Sequence, residues 1–170
     1  QNRPRKDIED IIPDGEFLQV GPNEAFPRLD DDFLVVFDLA GELVGYERSI
    51  VSALEQVDLI IVPVVNEADA IMGTAYAITE IKTLDTITAD FVVVANMLKK
   101  SVEAEEVAAQ LIPLIGEEIP IIPIRYSKAF DRILSEGRPI RDLVGRGGLY
   151  AWSFRNVAAE IDTLMSYISK

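Results

Sequence analysis

The run FLVVFD at residues 33–38, followed by Leu39-Ala40-Gly41, is the stretch best suited by residue type to hold a charged ligand. Its apolar, β-branched composition predicts a buried strand, which places Asp38 at the strand's carboxyl end. In an open parallel sheet, ligands bind outside those ends. A hard carboxylate there suits Mg²⁺ and its waters, which in turn hold the phosphates of a nucleotide. The small Ala40-Gly41 turn lets a γ-phosphate approach the backbone, with the Gly41 N–H as donor. Asp38 and Gly41 are therefore the candidate catalytic residues, and Asp38 the candidate metal ligand. The plain alternative is that Asp38 caps a turn, because D-x-x-G is short and common.

Composition narrows the chemistry further. The 170 residues contain no cysteine and no histidine, which excludes a disulfide framework, a thiol nucleophile, a cysteine–histidine zinc site and an imidazole base. What remains is carboxylates, Lys and Arg, hydroxyls, backbone amides or a bound cofactor. With 49% hydrophobic residues, the chain has the size and apolar content of one globular domain, spanning 1–170. No apolar run reaches the roughly 18 residues of a membrane span, and QNRPRKDIED lacks the apolar centre of a signal peptide, so a cytoplasmic location is expected. The net charge of −13 argues against a protein coated all over by nucleic acid. Between Arg125 and Arg155, however, seven basic residues stand against three acids, a local excess of +4 that leaves −17 elsewhere.

The elements that would position Asp38 follow from hydrophobic period. EFLQV (16–20), FLVVFD (33–38), DLIIVPVV (58–65), FVVVAN (91–96) and IPIIPI (119–124) have strand composition, the last four apolar on both faces. Between and after them, 46–56, 67–84, 102–116 and 127–137 carry apolar residues at helical spacing, and Phe154, Val157, Ala158, Ile161, Leu164, Met165 and Ile168 mark a terminal amphipathic helix. Strands alternating with helices predict an α/β fold, a mostly parallel sheet covered by helices on both faces in three layers. Residues before 30 are rich in Pro and Gly and read mostly as turns.

In this order, the segments resemble the ParA/MinD family of deviant Walker-motif ATPases. FLVVFD is similar to the family's Walker B strand, ALEQVD (53–58) to its "ALxxAD" run, and LIIVPV (59–64) to its "xIIVPV" strand. FVVVANML (91–98) resembles the strand ending in an Asn that contacts adenine, IPIRYSKAFDRILSEGRPI (122–140) the "IPR" segment, and GGLYAWSFRNVAAEI (147–161) the terminal helix. The resemblance covers roughly residues 30 to 168. It implies a P-loop NTPase-like sheet, ATP and Mg²⁺ as cofactors of the full-length protein, a homodimer switched by ATP, and a ParB-like or other activating partner. Such proteins segregate plasmids or chromosomes, or place protein complexes.

Two departures qualify what the resemblance implies. Asp38-Leu-Ala-Gly41 is locally like a GTPase D-x-x-G, whereas NMLK (96–99) lacks the N-K-x-D guanine reader, which favours adenine. Neither G-x-x-x-x-G-K-[ST] nor K-G-G-x-G-K-[ST] occurs. The expectation is that this chain starts just after the domain's second strand, as a fragment of an ATPase or as a degenerate relative, and that the 170 residues alone do not hydrolyse ATP. The competing function is a noncatalytic adaptor acting through its surface.

The resemblance also assigns roles to other residues. Asn96, Ile124 and Arg125 fall where relatives contact the base; Asn96 otherwise ends a strand, and Arg125 is otherwise a surface charge. Glu42 and Glu67 are explained by helix-start electrostatics alone. Tyr150, Trp152 and Phe154 read as core anchors rather than a stacking platform. In DNA-bound relatives the C-terminal third binds DNA without reading sequence, which implicates Lys128, Arg132, Arg138, Arg141, Arg146 and Arg155; alternatively these bases solvate a loop and pair with Asp131, Glu136 and Asp142. The last helix has Glu160, Asp162 and a single terminal Lys170 on its polar face, so membrane recruitment is not expected.

Overall fold

The computed structural model describes residues 18–21, 23–28, 34–39, 48–127, 130 and 149–168, with side chains of the last helix described from Val157 onward. Three strands, β1 (Leu59–Val64), β2 (Asp90–Leu98) and β3 (Ile121–Arg125), form a parallel sheet in the order β1-β2-β3. The helices are α1 (Arg48–Leu54), α2 (Ala68–Lys82), α3 (Val102–Ile115) and α4 (Leu149–Ile168). The fold is α/β, as expected.

Each helix buries the face its spacing predicts. On α2 the buried positions are Ile71, Thr74, Ala75, Ile78 and Ile81, and on α3 they are Val107, Leu111 and Ile115. These pack with Val64, Val93, Ala95 and Leu98 into one core on one face of the sheet. Val93, Ala95, Val107 and Leu111 are wholly inaccessible to water, and burying each of the larger of these side chains contributes about 1.5–3 kcal/mol. α1 extends the same layer, with Ile50 and Leu54 against Ile60 and Ile81. On the opposite face Val92, Val94, Ile122 and Ile124 are covered by Leu164 and Tyr167 of α4. Helices therefore flank both faces, and among the described residues none is long and apolar enough to cross a membrane.

One expected strand did not form. Residues 34–39 have no regular structure, and Leu34 and Val36 are 74% and 83% exposed. The physical reason is a missing ladder: an apolar run becomes a strand only beside another strand, and β1 pairs with β2 alone among the described residues. Leu18 to Val20 of the expected 16–20 strand are likewise irregular, and the helix expected at 127–137 lies largely outside the described residues.

The open side of β1 can be read from two bonds. The Asp90 N–H donates to Asp58 O, and the Val93 N–H to Pro120 O. Because backbone groups alternate sides along a parallel strand, Asp58, Ile60, Val62 and Val64 face β2, whereas Leu59, Ile61 and Pro63 face outward. Pro63 thus has its missing N–H on the edge that is unpaired among the described residues, where a proline is tolerated.

α3 ends at Gly116, whose φ of 97° and ψ of 159° lie in a region only glycine occupies freely. A Cβ there would also run into the carboxylate of Glu118. Gly116→Ala should therefore lower stability by about 1–3 kcal/mol in urea denaturation. The same carboxylate accepts from Lys82 Nζ at 3.1 Å, joining the end of α2 to the turn before β3. Hydrogen bonding from its own backbone, and then from Lys82, holds the Glu118 carboxyl below its ordinary value of 4.5. A lowered value stabilises the fold above the ordinary value, and that contribution is lost as pH falls through the lowered one. The difference in melting temperature between wild type and Glu118→Gln should be small at neutral pH, as for any exposed pair, and should vanish in acid.

Candidate functional site

The carboxyl end of β2 is where the ladder breaks its rhythm. Ala95 lies opposite Pro123, but Leu98 lies opposite Arg125, so β2 spends three steps where β3 spends two. The extra residue is a β-bulge. Its cause is in the side chains: Val93 and Ala95 point into the α2–α3 core, and the insertion returns Leu98, 2% exposed, to that same face. Without it, alternation would turn Leu98 toward α4.

Asn96 and Met97 are the residues displaced. Met97 adopts φ 58°, a left-handed conformation uncommon outside glycine, asparagine and aspartate, and the residue is 52% exposed. Asn96 makes this tolerable, because its Oδ1 accepts the Met97 N–H at 2.8 Å. The Asn96 amide is thus oriented by the backbone beside it, and Oδ1 retains a second lone pair for a ligand donor. Beyond the bulge, the Lys99 N–H donates to Glu103 Oε2 at 2.7 Å, which satisfies a donor ahead of α3.

Arg125, at the end of β3, stands across the ladder from Leu98, and the next N–H, that of Tyr126, donates to Leu98 O at 2.9 Å. Its own backbone N–H and Nε–H both donate to Glu160 of α4. Asn96, two residues inside the carboxyl end of β2, and Arg125, at the carboxyl end of β3, therefore lie on neighbouring strands. Ile124 is 7% exposed and packs with Val92, Val94 and Ile122 beneath α4, so its side chain belongs to the core.

Asp38 is placed differently from its expectation. It is exposed and ends no strand, because the run before it does not pair. Its neighbours are anchored toward α1: Phe37 meets the Phe26 ring edge-on at 4.9 Å, the Phe26 N–H donates to Ser52 Oγ at 2.9 Å, and Leu39 packs against the Ile50–Leu54 cluster. Among the described residues, no three carboxylates converge on a common point. A nucleotide-bound Mg²⁺ is compatible with that, since it takes one or two protein carboxylates and fills its remaining positions with phosphate and water. Gly41, Lys128, Arg132, Arg138, Arg141 and Arg146 lie outside the described residues, and Arg155 falls within α4 without a described side chain.

Sequence reasoning missed Met97 and Glu160. No local signal marks either: the bulge is dictated by which side Leu98 must face, and Glu160 is 35 residues from its partner. At the opposite, amino end of the strands lies an open groove of about 480 Å³, bordered by Ile81, Lys82, Asp90, Glu118 and Tyr167. It is on the wrong end of a parallel sheet for the usual ligand position, and the carboxyl end carries the oriented polar groups.

No protein-family model, curated protein or solved structure matches the chain.

The bulge yields a direct expectation. Asn96→Ala removes the acceptor of the Met97 N–H and should cost about 0.5–1.5 kcal/mol in chemical denaturation. Hydrogen exchange resolved by residue should show the Met97 amide accelerated most, with amides in the centre of β2 changed only by the global loss.

Proposed function

We propose that this chain supplies the base-binding side of a ParA-like ATPase of the partition or positioning type. The observation that carries this reading is the bulged carboxyl end of β2. It puts Asn96, its amide oriented by the Met97 N–H, one strand away from Arg125 near the carboxyl edge where a parallel sheet takes its ligand. The order of segments along the sequence, from FLVVFD to the terminal helix, supports the same reading.

In this reading ATP lies across the strand ends, with Asn96 and the start of the β3–α4 connection near the adenine. Asp38 would help hold Mg²⁺ and its waters, and Gly41 would offer a backbone donor to the terminal phosphate. Magnesium, when bound, neutralises charge developing on the phosphates. Binding of ATP would favour a homodimer, and a ParB-like or other partner would trigger hydrolysis. Lys128, Arg132, Arg138, Arg141, Arg146 and Arg155 would offer DNA phosphates a surface indifferent to sequence. The protein would work in the cytoplasm, without membrane recruitment.

The test is a titration of the 170-residue protein with ATP and with GTP, followed by fluorescence or calorimetry. ATP should bind more tightly than GTP, and Asn96→Ala should weaken ATP by about 1–2 kcal/mol, the loss of one or two hydrogen bonds. Equal affinity for both nucleotides would sink the adenine assignment. Binding of neither would favour the noncatalytic adaptor.

A further inference from the structure

Arg125 is held by a single side chain at two points. Its backbone N–H donates to Glu160 Oε2 at 2.8 Å, and its Nε–H to Glu160 Oε1 at 2.7 Å. The Glu160 side chain is 14% exposed and that of Arg125 is 56% exposed. A largely buried carboxylate thus commits both oxygens to one residue at the rim of the sheet, at the short distances of charge-assisted bonds.

Fastening α4 to the sheet does not require this pair. Leu164 and Tyr167 already pack α4 over Val92, Val94, Ile122 and Ile124, and an ion pair with a half-exposed arginine adds little stability. What the pair does is take conformational freedom from the guanidinium. With Nε engaged, the two Nη atoms have no protein partner among the described residues. Freezing a long, flexible side chain in advance lowers the entropy lost when a ligand arrives.

The surroundings indicate what those donors meet. Arg125 lies across from Leu98, beside the Asn96–Met97 bulge. Lys99 and Lys100 follow, both exposed and without an ion pair among the described residues, while Met97 and Tyr126 present exposed apolar surface. On a chain of net charge −13, three cations, a thioether and a phenol thus follow one another along two paired strand ends, a combination suited to a ligand that is both anionic and flat.

We propose that Glu160 is a positioning residue that holds Arg125 so that its Nη donors meet oxygen or nitrogen acceptors of a nucleotide seated at the bulge. The inference rests on the nucleotide reading above. It adds that α4 is part of the site, through one carboxylate.

The experiment titrates ATP into wild type, Arg125→Lys, Glu160→Gln, Glu160→Asp and the Arg125→Lys/Glu160→Gln double variant, with the melting temperature of each measured separately. Arg125→Lys and Glu160→Gln should each weaken ATP binding roughly tenfold, and the double variant should be no weaker than the worse single one, because both remove the same interaction. Glu160→Asp, which keeps the charge, should recover part of the affinity and stands in for Glu160→Gln if that variant does not fold. Three results would overturn the positioning role while leaving the nucleotide reading intact. One is a Glu160 variant that melts lower but binds ATP as wild type does. Another is losses that add in the double variant, and the third is Arg125→Lys without effect where Asn96→Ala weakens binding. Absence of ATP binding by the wild type would remove the nucleotide reading, and this inference with it.

Discussion

β2 has to hide both of its faces at once, and the rest of the structure is arranged to let it. Val92 and Val94 look one way while Val93 and Ala95 look the other, and all four are buried. A strand apolar on both sides is stable only in the middle layer of three. That requirement places α2 and α3 on one face and α4 on the other. It also makes β1 and β3 necessary, because the backbone of a buried strand must be bonded on both edges.

The candidate site is what remains where this burial ends. Leu98 belongs to the α2–α3 core, but by strict alternation from Ala95 it would face α4. The chain resolves the conflict with one extra residue, and the cost is a left-handed Met97. The oriented Asn96 amide and the exposed Met97 side chain are thus by-products of a packing demand in the interior. Their backbone is tied to the same demand, since shifting it means shifting the buried Leu98.

Most of the architecture was legible because it depends on period. The strand-length runs at 58–65, 91–96 and 119–124 became β1, β2 and β3, and the helical spacing at 67–84 and 102–116 became α2 and α3 within a few residues. FLVVFD has the same composition, yet its residues 34–38 form no strand, because composition records what a segment would bury and not whether a ladder stands beside it. The site was half legible. An asparagine closing an apolar run points toward a strand end, which marked Asn96, although β2 runs two residues further, to Leu98. The bulge depends on the side to which Leu98 is drawn, and the Arg125–Glu160 pair on how α4 crosses the sheet. Neither leaves a trace in local pattern.

Among the described residues β1 pairs only with β2, and Pro63 gives its other edge a direction. Leu59 and Ile61 turn complete donor–acceptor pairs outward, whereas Pro63 turns only a carbonyl. An incoming strand could hydrogen-bond along the amino half of this edge but would find no donor at the carboxyl half. Where only the described residues border this edge, a strand pairing with it would be held to a short contact, too short for the long, fully bonded ladders from which fibrils grow.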